Sequence, residues 1–262
     1  MEPNIQLKDI NLVYKTRNGE MVDAITNLSV DIFPGEFVSV VGPSGCGKST
    51  LIQLIDGLLK PTSGEIIVNK KRVTGPSPDR AVVFQDFALM PWRDVNKNVL
   101  LGPELRGKTN SFKEKAMDTI RMVGLKNFER KYPYQLSGGM KQRAAIARAL
   151  TNEPEILLMD EPFAAVDAQM REIMQEELIR IWQATGKTVV FITHSIDEAV
   201  YMSNRVLLMS ARPGRFIDEL KIELPYPRTL EVKNSQLYFE YRTHVWEHLK
   251  TEVHKVYDTQ AS

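Results

Sequence analysis

The sequence predicts an α/β fold with a mainly parallel sheet, and three observations carry that expectation. Short, fully apolar runs recur along the chain with helix-compatible stretches between them, the pattern of strands covered on both faces. A glycine-rich run ending in Lys-Ser stands between one such strand and a helix. A pair of carboxylates follows directly on another strand, at the end where open α/β sheets place their ligands.

Taken in order, Asn11-Leu12-Val13-Tyr14 has a strand pattern in which Tyr14, read alone, is a half-buried sheet residue. Phe37 to Val41 reads as a buried strand. The next run is Gly42-Pro43-Ser44-Gly45-Cys46-Gly47-Lys48-Ser49, which fits the phosphate-loop pattern G-x-x-x-x-G-K-[ST]. Its glycines let the backbone turn tightly enough for successive N–H groups to face one anion. Lys48 is placed to reach phosphate oxygens as a point charge, and the Ser49 hydroxyl is a hard oxygen donor suited to Mg²⁺. Thr50 to Ile55 reads as a helix whose positive dipole end faces the same site. The cradled group is expected to be a nucleotide phosphate. Cys46 occupies a position with no required chemistry and reads as a small filler, not a redox switch.

Ala81 to Phe84 is the next strand-like run, and Gln85 follows it. Phe87, Leu89, Met90, Pro91 and Trp92 then form a Pro-interrupted apolar loop, with an amphipathic helical stretch around Lys113 to Val123. Leu136-Ser137-Gly138-Gly139-Met140 precedes a strongly helix-forming segment, Lys141 to Leu150. Ser137 suits an N-cap, and Gly138 and Gly139 leave backbone N–H groups open to an anion; a plain helix cap explains the segment equally well on its own.

Ile156 to Met159 leads into Asp160-Glu161-Pro162. Consecutive strand residues point to opposite sides, so the two acids are assigned different work: Asp160 to the shell of a Mg²⁺ ion, Glu161 to an attacking water. Taken alone, the segment also fits an acidic turn after a core strand; the phosphate loop favours the chemical reading. Val189 to Ile192 and Val206 to Met209 are further strands, and a lone His194 follows the first of them. Ser210 to Arg215 and Pro225 to Arg228 are breaks. A helix is expected from about Gln236 to His254, with Tyr238, Tyr241, Val245, Trp246 and Leu249 at helical spacing, the pattern of a packing helix.

Composition excludes several classes. At 262 residues the chain can bury a full core, and 43% hydrophobic with 26% charged residues lets it fold without staples. Thirty-four Lys and Arg against 33 Asp and Glu give a net charge of +1, so no overall field attracts nucleic acid, and Lys70-Lys71-Arg72 reads as a solvated turn. No apolar run exceeds four residues, against roughly 20 for a bilayer-spanning helix, and the first residues lack the pattern of a signal peptide. A single cysteine forms no internal disulfide. The chain is expected in the cytoplasm.

The stretch Leu136 to Met140, lying between the phosphate loop and Asp160-Glu161, resembles the signature sequence of ATP-binding cassette (ABC) ATPases. The resemblance implies a phosphate-loop NTPase core with an N-terminal antiparallel β region and an inserted α-helical subdomain at about 86–151, together spanning 1–225, and a C-terminal helical extension over 226–262 packed on it. It implies ATP and Mg²⁺ as ligands. Gly42, Pro43, Ser44, Gly45, Cys46, Gly47, Lys48, Ser49 and Thr50 would hold the nucleotide, with Tyr14 resembling the aromatic that stacks on adenine. Ser137, Gly138 and Gly139 would cap the γ-phosphate bound by a second subunit. Ser49, Asp160 and Gln85 would serve the metal, with Gln85 linking it to a membrane partner. Lys48, Gln85, Glu161 and His194, the last resembling the γ-phosphate sensor, would be catalytic. Asp167 resembles the dimer-contact aspartate. Two departures are Met140, where Gln is commoner, and Ala164-Ala165-Val166-Asp167, which lacks Leu before the Asp; activity is expected to survive both.

In that family two ATPase subunits, identical or homologous, close head to tail on two ATP molecules and drive transmembrane permease subunits, for which Phe87, Met90 and Trp92 are the candidate contacts. Phe84-Gln85-Asp86, Pro91-Trp92 and Ala211 to Arg215 look most like importer subunits for nitrate, sulfonate, taurine or bicarbonate. This implies a peripheral protein on the cytoplasmic face of a bacterial inner membrane, served indirectly by a solute-binding protein and independent of nucleic acid. Alternatives are a soluble cassette ATPase of DNA repair or translation, an exporter subunit, and a nucleotide-binding regulator without turnover; the presence of Glu161 and His194 disfavours the last.

Overall fold

A computed structural model describes residues 2–16, 18–164 and 166–260, with side chains described to residue 255; Ala165 and the last two residues of the C-terminal extension lie outside the described part. In chain order the strands and helices are β1 (Ile5–Lys15), β2 (Met21–Ile32), β3 (Phe37–Val41), α1 (Lys48–Asp56), β4 (Ser63–Val68), β5 (Lys71–Arg72) and β6 (Arg80–Val83). They continue with α2 (Val95–Val99), α3 (Leu101–Leu105), α4 (Thr109–Met122), α5 (Gly138–Thr151), β7 (Ile156–Asp160) and α6 (Ala168–Thr185). The last are β8 (Thr188–Ile192), α7 (Ile196–Met202), β9 (Arg205–Met209), β10 (Phe216–Lys221) and α8 (Gln236–Gln260). The chain divides into two units, residues 1–77 with 188–262, and residues 78–187.

In the first unit β3 pairs in parallel with β8 and β9, while β10 closes antiparallel on β9. Every residue of β3, β8 and β9 is buried, which is why these strands read as mostly apolar runs without alternation. Phe37 and Phe191 meet in this core at a centroid distance of 5.7 Å. By contrast β10 is half polar and sits at the end of its sheet, so periodicity alone did not single it out. A separate antiparallel sheet runs β2-β1-β4-β5, with Ile5, Leu7, Ile10 and Leu12 of β1 buried.

Apolar and polar contacts together hold α8 to this unit. Tyr238, Val245 and Leu249 are buried, Tyr238 and Arg242 both reach the Asp197 carboxylate at 3.0 and 2.9 Å, and Glu252 accepts the Ala211 N–H at 2.8 Å. Trp246 is half exposed, so the helical spacing overstated the apolar face by that residue. Arg228, itself buried, donates to the carbonyls of Tyr201 and Ser203 and closes the C-terminus of α7 as a cation.

In the second unit β6 and β7 are parallel. Helix α5 packs on α2, α3, α4 and β6 through an alanine-rich face of Ala144, Ala145, Ala147 and Ala149, whose small side chains allow close approach. Aspartates open two of the helices: Asp94 accepts the Lys97 N–H at the start of α2, and Asp167 accepts the Met170 N–H at the start of α6. The α/β class with parallel strands, an N-terminal antiparallel sheet and a helical segment is observed.

Candidate functional site

The phosphate loop joins β3 to α1 in the first unit. Gly47 caps α1 with φ of 108°, a left-handed conformation that a side chain strains, and it turns the chain so that the first helical N–H groups face the loop. At Gly42 the constraint is space: a Cβ there would lie 2.8 Å from the Met209 carbonyl oxygen. Lys48 is buried with its ammonium donating to the carbonyls of Gly42 at 2.8 Å and Pro43 at 2.9 Å. A positive charge is therefore held inside a ring of backbone beside a helix N-terminus, an arrangement that favours an incoming polyanion. Ser44, Gly45 and Ser49 are exposed on the loop, and Pro43 and Cys46 are buried beneath it. Burial pushes the Cys46 thiol above its ordinary range, although Lys48 opposes the shift, so little thiolate forms at neutral pH.

Tyr14 of β1 lies beside the same loop, its hydroxyl 3.4 Å from that of Thr50. His194 follows β8 and is exposed. The backbone around it is fixed by side chains that sequence reasoning did not single out: Thr193 donates to the buried Glu198 carboxylate at 2.5 Å and accepts the Ser195 N–H at 3.0 Å, while Ser195 caps α7. An acid at the third helical position behind a Ser cap was a readable signal.

The remaining predicted site residues belong to the second unit. Gln85 is exposed just past the end of β6. Asp160 ends β7 and Glu161 follows it, both half buried, with Glu161 at φ 45°. That left-handed turn re-aims the second carboxylate away from the strand direction, at a cost of about 1 kcal/mol or more. Ser137 caps α5, accepting the Met140 N–H at 3.3 Å. Gly138 begins that helix, and Gly139 is buried where a Cβ would lie 3.0 Å from Met170 of α6.

The loop after Gln85 is also tied down by residues the sequence did not mark. Phe87 and Ala88 take φ values of 55° and 48°, and Arg148 of α5 donates to both their carbonyls. Buried Asn98 accepts the Met90 N–H at 2.8 Å and donates to the carbonyls of Met90, Arg93 and Asp94. Trp92, on that loop, is 72% exposed.

Chemically, the first unit offers a cationic anion cradle with an adjacent aromatic and an exposed imidazole. The second offers amide and carboxylate oxygens at Gln85, Asp160 and Glu161, the ligand type of a hard divalent cation.

Comparison with known proteins agrees with this chemistry. Residues 25–164 match the family described as ABC transporter. The chain is 51% identical over 256 residues to an uncharacterised ABC transporter ATP-binding protein of Methanocaldococcus jannaschii, covering 97% of this chain and 94% of that one. It is 46% identical to a nitrate import ATP-binding protein of Synechocystis, covering 91% and 92%, and 44% identical to a taurine import ATP-binding protein of Roseobacter denitrificans, covering 83% and 82%. A solved dimeric post-hydrolysis state of an ATP-binding cassette with ADP and Pi superposes with a TM-score of 0.73 at 34% identity, covering 84% of this chain and all of that one.

Proposed function

Because the chain belongs to the ABC transporter ATP-binding family, we propose that it binds and hydrolyses ATP to energise a multi-subunit importer of a small oxyanion or organic anion such as nitrate, a sulfonate, taurine or bicarbonate. The observation that carries this reading is the buried Lys48 ammonium, held on the carbonyls of Gly42 and Pro43 at the head of α1. A buried ammonium held on two carbonyls beside a helix N-terminus suits an anion of several charges.

In the proposed mechanism the loop residues Gly42 to Thr50 wrap the phosphates, Lys48 neutralises the β and γ oxygens, and Tyr14 stacks on adenine. Ser49, Asp160 and Gln85 would hold Mg²⁺ through oxygen, and the ion would screen phosphate charge. Glu161 takes the proton of the attacking water, and His194 donates to the γ-phosphate. Ser137 and the N–H groups of Gly138 and Gly139 cap the γ-phosphate held by a second copy or a homologous subunit, in a head-to-tail pair. Closure is favoured because those contacts exist only in the closed pair, and hydrolysis removes them.

Trp92, with Phe87 and Met90, receives a permease subunit, so the protein works peripherally at the cytoplasmic face of the bacterial inner membrane, and a solute-binding protein delivers the cargo. No helix of the described residues is long and apolar enough to cross a membrane. Domain limits of 1–225 for the ATPase, with its helical insertion at about 86–151, and 226–262 for the extension belong to the same proposal.

The test is ATP binding and turnover by wild type, Lys48→Ala and Glu161→Gln. Glu161→Gln is expected to bind a fluorescent ATP analogue normally while turnover falls at least about 100-fold, and Lys48→Ala to lose both. Wild-type turnover by Glu161→Gln removes the base; failure of the wild type to bind the analogue removes the function.

A further inference from the structure

Away from the nucleotide residues, β10 and α8 bring together Asp218, His244 and His248. The two histidines stand one helical turn apart on the same face of α8, with ring centroids 4.4 Å apart. His244 Nε2 lies 2.6 Å from Asp218 Oδ2, and His248 Nε2 lies 3.7 Å from that same oxygen. All three candidate ligand atoms fall within 4.8 Å of one another.

The outer contacts fix how these groups point. His248 Nδ1 is 2.9 Å from the His244 carbonyl oxygen, which only accepts, so Nδ1 carries the proton. In the neutral ring Nε2 is then a bare lone pair, and it faces a carboxylate oxygen. That lone pair is available to a cation, either a second proton on the ring or a metal ion. Asp218 Oδ1 accepts the Glu219 N–H at 2.9 Å, so Oδ2, which is 2.6 Å from His244 Nε2, is the oxygen that would exchange that contact for an ion.

A histidine whose second nitrogen donates to a carbonyl is the usual outer arrangement of a metal-ligating imidazole. The spacing also fits. Ligand atoms at about 2.0–2.1 Å from a tetrahedral ion stand about 3.3 Å apart. The three atoms, with His244 and Asp218 2.6 Å apart and every pair within 4.8 Å, reach that spacing by side-chain movements of about 1–1.5 Å. The side chains of the two histidines are 41% and 42% exposed, so an ion has an entry path and its fourth position opens to water.

We propose that Asp218, His244 and His248 form a binding site for a borderline-soft divalent ion, Zn²⁺ above all, that cross-links α8 to β10. Two imidazoles and one carboxylate select zinc and its neighbours over Mg²⁺ and Ca²⁺, which take oxygen ligands. The ion's role is structural. It joins the C-terminal helix to the edge strand, adding to the polar contacts that the helix makes with Asp197, Ala211 and Glu223. The site is independent of the nucleotide residues and of the proposed transport function.

The experiment is a Zn²⁺ titration of the nucleotide-free full chain by calorimetry, with a Co²⁺ titration followed by visible absorption. One equivalent is expected to bind, with a Co²⁺ ligand-field band displaced by Zn²⁺ and not by Mg²⁺. Asp218→Asn and His248→Gln are each expected to weaken binding at least about 30-fold. Zn²⁺ is also expected to raise the melting midpoint of the wild type and to slow amide exchange in α8, as any ligand restricted to the folded state does. Absence of stoichiometric Zn²⁺ binding, or binding unchanged in both variants, overturns the site. Should a variant fail to fold, protection of His244 and His248 from diethylpyrocarbonate by Zn²⁺ in the wild type decides the matter, and equal modification with and without Zn²⁺ overturns the proposal.

Discussion

Arg148 of α5 donates its guanidinium to the carbonyl of Phe87 at 2.9 Å and to that of Ala88 next to it, joining the helix that begins at Ser137 to the loop that follows Gln85. Phe87 and Ala88 are both left-handed, a conformation costing about 1–2 kcal/mol per residue with a side chain, and the charged fork of Arg148 offsets that cost. Arg148→Ala is expected to destabilise the protein by about 2–3 kcal/mol in chemical denaturation. Arg148→Lys is expected to recover less than half, because an ammonium lacks the fork geometry that reaches two successive carbonyls. Full recovery by lysine would show that charge alone matters there.

Gly214 stands against the phosphate loop. A Cβ at that position would lie 2.1 Å from the Cys46 carbonyl and 2.3 Å from the end of Met209. Gly214→Ala is therefore expected to displace the loop and weaken ATP binding at least about 10-fold, along with a stability loss of about 2 kcal/mol. Gly45→Ala meets nothing within 4 Å and carries only the strain of φ 74°, so its stability cost is expected near 1 kcal/mol. Equal effects of the two on stability would contradict the packing argument.

Trp92 and Asn98 separate display from support. Trp92 is exposed, whereas Asn98 is buried and bonded to four backbone groups of the loop that carries it. Trp92→Ala is expected to leave the unfolding free energy within about 0.5 kcal/mol while impairing co-purification with permease subunits. Asn98→Ala is expected to cost about 3 kcal/mol, because buried backbone groups lose their partners. Normal assembly by the Trp92 variant would remove that residue from the contact.

Glu252 gives the docking of α8 a pH dependence. Burial acts to raise its carboxyl, but Lys255, the Ala211 N–H and Arg215 outweigh this and hold it below the ordinary 4.5. A carboxyl depressed in the folded state contributes stability that is complete above the unfolded value and is lost as pH falls through the folded one. Glu252→Gln is therefore expected to reduce stability by about 1–2 kcal/mol at pH 7 and by less at pH 3.5, measured by denaturant unfolding at both. A pH-independent difference would place the effect in packing instead.

The phosphate loop, the buried strands and the carboxylates after β7 were legible because each is a local pattern, complete within about ten residues of chain. For the same reason the helix over Gln236 onward was readable from spacing, although Trp246 of that pattern is turned outward. Strand β10 escaped, since a half-polar edge strand has neither an unbroken apolar run nor a clean alternation.

What the amino-acid order determined by itself was the character of each local piece: a glycine-rich turn into a helix, a serine-capped helix start, two acids at a strand end. What only the tertiary structure decided was which distant groups support them. Arg148 lies 61 residues from Phe87, His244 lies 26 from Asp218, and Asn4 reaches Thr188 across 184. Such pairings arise from burial of apolar faces throughout the chain, which fixes where strands and helices pass one another; no short window of sequence carries that sum.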